Sequence, residues 1–410
     1  MSRQWHARPA LERWYTGMAL ADGRSPRLEK DRAILVRDGL VAEITSADAA
    51  PRLDDPTVDV VDASGSTVVP SMVDCHAHLV LPGGARWIER AFDPTDNLVA
   101  VSERTRFALL ESGVRWIRDV GSPVRSDLPE GTSRALALHI RDRWRAGGAA
   151  PVALVAGGWL ATVGALPEGM AVANRDGDEL VASALSQLDA GADLVKLYLD
   201  GPKGTTTCPF STADVRAVTD AVHARGAQVA AHATQLDAVR TGVLGGVDTI
   251  EHGNCLDEET ADLMAAHGTA LIPTISVYQS FMSFSSTTSL PRFLDAATQE
   301  GLYASAMQSV RLAKAAGVRI GAGSDFGGGS VRPGHLAWEA EGLVAAGLEP
   351  WEALGAVTWG GADIVGLPTA GRIEVGQPAN FFFVHGDPTT DISALWRAWE
   401  VVVSEHAPAF

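Results

Sequence analysis

Six side chains of this sequence have the residue types of a metal site, and each stands at the end of a short apolar run. His76 and His78 lie in VDCHAHL, Lys196 in ADLVKLYLDG, His232 in AQVAAHAT, His252 in GVDTIEHG and Asp325 in VRIGAGSDFG. Alternate residues of a strand point to the same face, so His76 and His78 can share one ion while Cys75 and Ala77 point away. His232 and His252 are 252 − 232 = 20 residues apart, which suits neighbouring strands. Imidazole and carboxylate ligands suit zinc, as one or two divalent ions, and also manganese, iron or nickel. Lys196 is the exception, because an ammonium beside divalent cations in a dry cavity is strongly disfavoured. As a neutral amine it can take up carbon dioxide and become a carbamate, an anion able to bridge two metals. Two divalent ions against a carbamate, an aspartate and a hydroxide leave about one positive charge, suited to a polarised carbonyl. The alternative is a lysine paired with Asp193 or Asp200, beside a single metal held by His76, His78, His232 and Asp325.

These groups need a frame that gathers strand ends. From Val73 to about Thr369, eight apolar runs alternate with helical stretches: SMVDCHAHL, VRWIRDVG, PVALVAGG, ADLVKLYLDG, AQVAAHAT, GVDTIEHG, TALIPTIS and VRIGAGSDFG. The intervening STADVRAVTDAVHARG opens on a Ser/Thr cap and stops at Gly226. The pattern predicts an α/β fold, a (β/α)8 TIM barrel, in which chemistry sits at the C-terminal strand ends. The two ends of the chain have a different texture. ILVRDGLVAEI turns at Asp38-Gly39 as a hairpin does, and GRIEVGQPANFFFVHGD is strand-like again. The expected division is a composite β unit from 1–70 plus 370–410 around a barrel domain of 71–369.

Composition narrows the function classes. The 410 residues carry a net charge of −17, from 33 basic against 50 acidic side chains. With no run of five basic residues, nucleic acid and anionic membranes are poor partners, and a small molecule is the expected one. No stretch of eighteen apolar residues is present, so no membrane span is expected. Three cysteines without a CxxC pair, and a start without a signal-peptide core, point to a reducing, cytoplasmic setting. GAGSDFGGG lacks a following acidic residue at dinucleotide-binding spacing, which argues against a nucleotide cofactor.

With these motifs assembled, the chain resembles the amidohydrolase superfamily, in the branch of imidazolonepropionase-like and Xaa-Pro dipeptidase-like enzymes. The matching pieces run in order along nearly the whole chain: VVPSMVDCHAHL, RDVG, ADLVKLYLDG, VAAHAT, GVDTIEHGNCLDEE, IGAGSDFG, GLEPWEALGAVTWGGADIVGL and GRIEVGQPANFFFVHGDP. The resemblance implies that His76 and His78 bind a first metal and His232 and His252 a second. It makes Lys196 a carboxylated bridge and Asp325 both ligand and catalytic proton shuttle. It also implies a small β-sandwich built from both termini, and homo-oligomers are a family habit. Ser71 and Asn380 stand where relatives have glycine and aspartate. GGWLATVGALPEG carries Trp159 but not the relatives' histidine.

Substrate contacts are expected from Tyr198, which shares the inward face of Lys196, and from Tyr278, His335 and Trp159. Arg332, Lys203 and Arg86 are the loop cations that could hold a substrate carboxylate, whereas Arg118 and Asp119 read as a buried structural pair. The expected reaction is metal-assisted hydrolysis of a C–N bond in a small molecule: a dipeptide, an N-acyl amino acid or a urea-type compound. The alternatives are a cyclic amidine or imidazolone hydrolase or deaminase, an ester or lactone hydrolase on the same site, and an inactive barrel serving as a scaffold.

Overall fold

A computed structural model describes residues 12–128, 131, 133–287 and 296–405. Seven barrel strands, first to seventh, appear where the apolar runs predict them: Met72–Ala77, Val114–Asp119, Val152–Val155, Leu194–Tyr198, Gln228–Ala233, Thr249–His252 and Ala270–Ile272. The first three pair in order, as do the fourth to the seventh, and all these pairings are parallel. Helices such as Thr95–Glu111, Gly177–Asp189, Thr212–His223, Leu236–Gly245 and Glu258–His267 connect them. Burial on both faces of such strands is what their continuous apolar runs encode.

Local chemistry places these helices. In Thr212–His223 the Ser211 side chain accepts from the Asp214 N–H, and Asp214 in turn accepts from the Ser211 N–H. This reciprocal cap satisfies two otherwise unpaired donors. Val215, Val218 and Val222 bury the inner face of that helix, and Gly226 reverses the chain at φ +73°.

The eighth run does not form a regular strand. Ile320 and Phe326 make isolated parallel bridges to Leu271 and Ala77. The run is glycine-rich because it lies close to its neighbours: a Cβ on Gly323 would sit 2.5 Å from the Cβ of His76. Its backbone is nonetheless paired on both sides, with Leu271 N–H donating to Arg319 O at 2.9 Å and Asp325 N–H to His76 O at 2.8 Å. A second seam lies between strands three and four, where the bridge from Ala156 to Leu194 stands alone. Gly157 and Gly158 end the third strand there. The chain re-enters as Leu160–Thr162, pairing with Leu197 and Tyr198. The strand order is therefore that of a parallel α/β barrel, with ladders interrupted at the seams.

Strands from both ends of the chain join in one mixed sheet of seven: Arg13–Leu20, Glu29–Arg37, Leu40–Ser46, Asp59–Asp62, Ser66–Pro70, Phe381–His385 and Ala398–Val402. The strands are linked edge to edge within a single sheet. Residues 1–11 and 406–410 of the expected β unit lie outside the described residues. Asp38 and Gly39 both have positive φ, 52° and 72°, as a two-residue hairpin requires. The run Phe381–Val384 shows why an all-apolar strand fits here. Phe381 and Phe383 pack with Tyr15, Met18 and Ile34, while Phe382 and Val384 face the main core.

Candidate active site

The chemistry-bearing side chains converge at the C-terminal strand ends. His76, His78, Lys196, His252 and Asp325 are buried, and His232 is partly so. The ring centroids of His76 and His78 are 5.5 Å apart, those of His76 and His252 4.9 Å, and those of His232 and His252 4.6 Å. Asp325 Oδ1 lies 3.3 Å from His78 Nε2 and 3.7 Å from His76 Nε2. One ligand atom from each of His76, His78 and Asp325 fits within 4.8 Å of the others.

Each imidazole has one nitrogen engaged from behind. His76 Nδ1 is 2.6 Å from Glu251 Oε2, His78 Nδ1 2.9 Å from Gly121 O, and His252 Nδ1 2.7 Å from Thr274 Oγ1. His232 is held the other way round, with Nε2 3.0 Å from Asp200 Oδ2. Such partners fix tautomer and ring orientation and leave the opposite nitrogen as a lone-pair donor. Burial, followed by the nearby cations and imidazoles, holds His76 well below its ordinary pKa. Burial and His232 do the same for His252. At His78 burial pulls the pKa down, but the bond and charge of Asp325, with Asp119 and the Gly121 carbonyl, together outweigh it and the net shift is upward.

Within the site, Lys196 Nζ is buried without a hydrogen-bond partner, and Asp325 Oδ1 meets only the imidazole nitrogens of His78 and His76. Burial lowers the Lys196 pKa to about 8, against the opposing pull of Glu251. The pairing alternative for Lys196 is overturned, because both acids are taken. Asp193 bonds Arg141 at 2.7 Å and the Val155 N–H at 2.9 Å, and Asp200 bonds His232 and Thr234 Oγ1. Imidazoles, a carboxylate and an unsatisfied amine facing one another form a donor set that fits a divalent cation.

Three strand-end residues, His252, Thr274 and Asp325, have left-handed φ of 70°, 50° and 51°. Strain of this kind concentrates at functional sites, and here it turns side chains inward from positions that would otherwise alternate away.

Comparison with known proteins decides the family, since a match to the amidohydrolase family spans residues 67–403. The chain belongs to the amidohydrolase family. It is a hydrolase acting on carbon–nitrogen bonds. An uncharacterised protein of Mycobacterium tuberculosis is 32% identical over 308 residues, covering 74% of this amidohydrolase and 76% of that protein. The imidazolonepropionase of Salinispora tropica is 25% identical over 385 residues, covering 89% and 88%. A solved Xaa-Pro dipeptidase with methionine in its active site superposes with a TM-score of 0.83 at 24% identity, covering 96% and 98%, and so shares the fold.

The aromatic residues chosen from the sequence border the amidohydrolase imidazoles, with one exception. Tyr198 stacks on His232 at 3.9 Å, Trp159 lies 5.5 Å from His78, and Tyr278 lies 6.3 Å from His252 with its hydroxyl bonded to Asn254. His335 is not brought to them. It packs on Trp396 at 5.1 Å. Its neighbour Gly334 lies against Ala108 and Ser112, at the end of the helix Thr95–Glu111. Arg332 stays beside His335, its carbonyl accepting the His335 N–H at 3.1 Å, and Arg86 is paired with Glu89.

Arg118 and Asp119 do not pair with each other, because consecutive strand residues point opposite ways. Asp119 accepts the N–H groups of Leu79 and Gly121, whereas Arg118 bonds Glu251 at 2.6 Å. Glu251 itself was missed by sequence reasoning. An acid adjacent to a site histidine reads as the outward residue of an alternating strand, and the left-handed turn at His252 removes that rule.

Proposed function

We propose that this amidohydrolase is a metal-dependent enzyme that cleaves the amide-like C–N bond of a small molecule. A dipeptide, an N-acyl amino acid and a urea-type compound are the candidate substrates. The observation that supports this reading is the inward set of donor atoms: Nε2 of His76, His78 and His252, Nδ1 of His232, the unpartnered Lys196 Nζ, and Asp325 Oδ1 between His76 and His78. His76, His78 and Asp325 would hold one divalent ion, zinc being the best match, and His232 with His252 a second. When bound, the ions lower the pKa of water towards ~7 and polarise the scissile carbonyl. Lys196 would join them as a carbamate: its neutral amine lone pair forms the N–C bond to carbon dioxide, one C=O π pair moves onto oxygen, and the nitrogen's proton passes to solvent water.

The proton traffic falls to Asp325. Its Oδ1 accepts a proton from the attacking water and later delivers it to the leaving nitrogen, acting as general base and then general acid. His76 and His78 hold that carboxylate from two sides. Trp159, Tyr198 and Tyr278 wall the approach. Asp325→Asn should keep the fold and lower turnover of a responsive amide by about 10²–10⁴-fold. Near-normal turnover in metal-loaded Asp325→Asn protein would remove the shuttle role.

A cyclic amide is the second reading, favoured by the imidazolonepropionase that matches most of the chain. A panel of dipeptides, N-acyl amino acids, arylureas and imidazolones, run on the zinc-loaded protein, separates the two. The division into a barrel of 71–369 and a β unit of 1–70 plus 370–410, and a cytoplasmic setting, belong to the same proposal. No helix among the described residues is long and apolar enough to cross a membrane.

A further inference from the structure

Glu251 is fully buried and every oxygen it has is used. Oε1 accepts from Arg118 at 2.6 Å and from the Thr249 hydroxyl, and Oε2 faces His76 Nδ1 at 2.6 Å. Arg118, also buried, is held by Cys75 O at 2.6 Å and Thr249 Oγ1 at 3.0 Å, so the guanidinium is fixed before it meets the carboxylate. A buried guanidinium–carboxylate pair of this quality is rigid, and breaking it leaves an uncompensated charge.

The position of Glu251 in the chain is the second observation. It precedes His252, a member of the other imidazole pair. The left-handed φ of 70° at His252 lets both consecutive side chains reach the barrel interior. The peptide between Glu251 and His252 therefore links the His76, His78 and Asp325 group to the His232 and His252 pair.

We propose that Glu251 is a positioning residue for the metal site: it holds His76 in the tautomer that presents Nε2, and through its link to His252 it aligns the two halves of the site. The proposal rests on the metal reading above. Glutamine cannot replace this residue. It offers one oxygen and one amide N–H₂, while Arg118 and His76 both need an acceptor. Turned towards His76, the N–H₂ group would force the hydrogen onto Nε2, where it blocks coordination.

The test uses metal-stripped full-length protein titrated with cobalt(II) against a competing chelator, with the cobalt visible spectrum as a second readout. Glu251→Gln should bind cobalt about 10–100-fold more weakly, with an altered spectrum. Because that variant strands the Arg118 charge, a second variant, Arg118→Met with Glu251→Met, replaces the pair by apolar side chains of similar size. With native circular dichroism, this double variant should show the same loss. If the native protein binds cobalt and the folded double variant binds it as tightly, with an unchanged spectrum, the proposal is overturned. Native protein that takes up no cobalt overturns instead the metal reading beneath it.

Discussion

At the residue scale, Lys196 is the clearest case of a group whose environment makes sense only with something added. A buried amine without an acceptor costs on the order of 1–3 kcal/mol, and none of the described residues hydrogen-bonds it. On the proposed reading, a carbamate at Lys196 would remove that cost and supply an anion to the site. Lys196→Ala should therefore bind one metal equivalent fewer by elemental analysis. A short-chain carboxylic acid added to the buffer should restore much of the turnover. Unchanged metal content in the variant would reject the bridge.

At the element scale, the end of the seventh strand is secured from outside the site. Glu339, buried in the helix Leu336–Ala345, accepts the N–H of Ile275 at 2.9 Å and of Ser276 at 2.7 Å, at the start of the helix Ile275–Thr287. That clamp sits beside Thr274, whose hydroxyl orients His252. Burial raises the Glu339 pKa from 4.5 to about 7, against the lowering effect of the two backbone donors. The folded chain thus holds this proton more tightly than the unfolded chain does. The resulting stability is complete below pH 4.5 and is lost as pH rises through about 7. Glu339→Gln does not titrate. The urea midpoint of the native protein, minus that of the variant, should fall between those two pH values and level off above them. A difference independent of pH would show that Glu339 ionises as it does in water.

At the scale of the whole molecule, the junction between barrel and terminal sheet carries a buried charge with no ion-pair partner among the described residues. Arg115, on the second strand, bonds Asn380 Oδ1 at 3.1 Å, with Ala150 O and Ser404 O as its other acceptors. Burial lowers its pKa to about 10. Asn380 also accepts the Ser404 N–H, so one amide oxygen ties three segments together. Asn380→Asp keeps both bonds and adds the missing charge. The gain from a neutral to a charge-assisted bond is about 1 kcal/mol, which should raise the thermal midpoint by about 2 °C. An unchanged or lower midpoint would mean that desolvating the carboxylate cancels the attraction.

His76, His78, His232 and His252, with Lys196 and Asp325, were legible in the sequence for a local reason. A period of two and the end of an apolar run are properties of a few consecutive residues, and strand ends face the cavity of a parallel barrel. The capped helix Thr212–His223 and the turn at Asp38-Gly39 were legible on the same basis. Where local periodicity gave way to contacts between distant segments, only the tertiary structure could decide. It turned Glu251 inward beside His252, separated Arg118 from Asp119 and seated His335 on Trp396. It also broke the third strand at Gly157 and left the eighth without a ladder, because close approach depends on neighbours outside the run itself, Gln187 at Gly157 and His76 at Gly323.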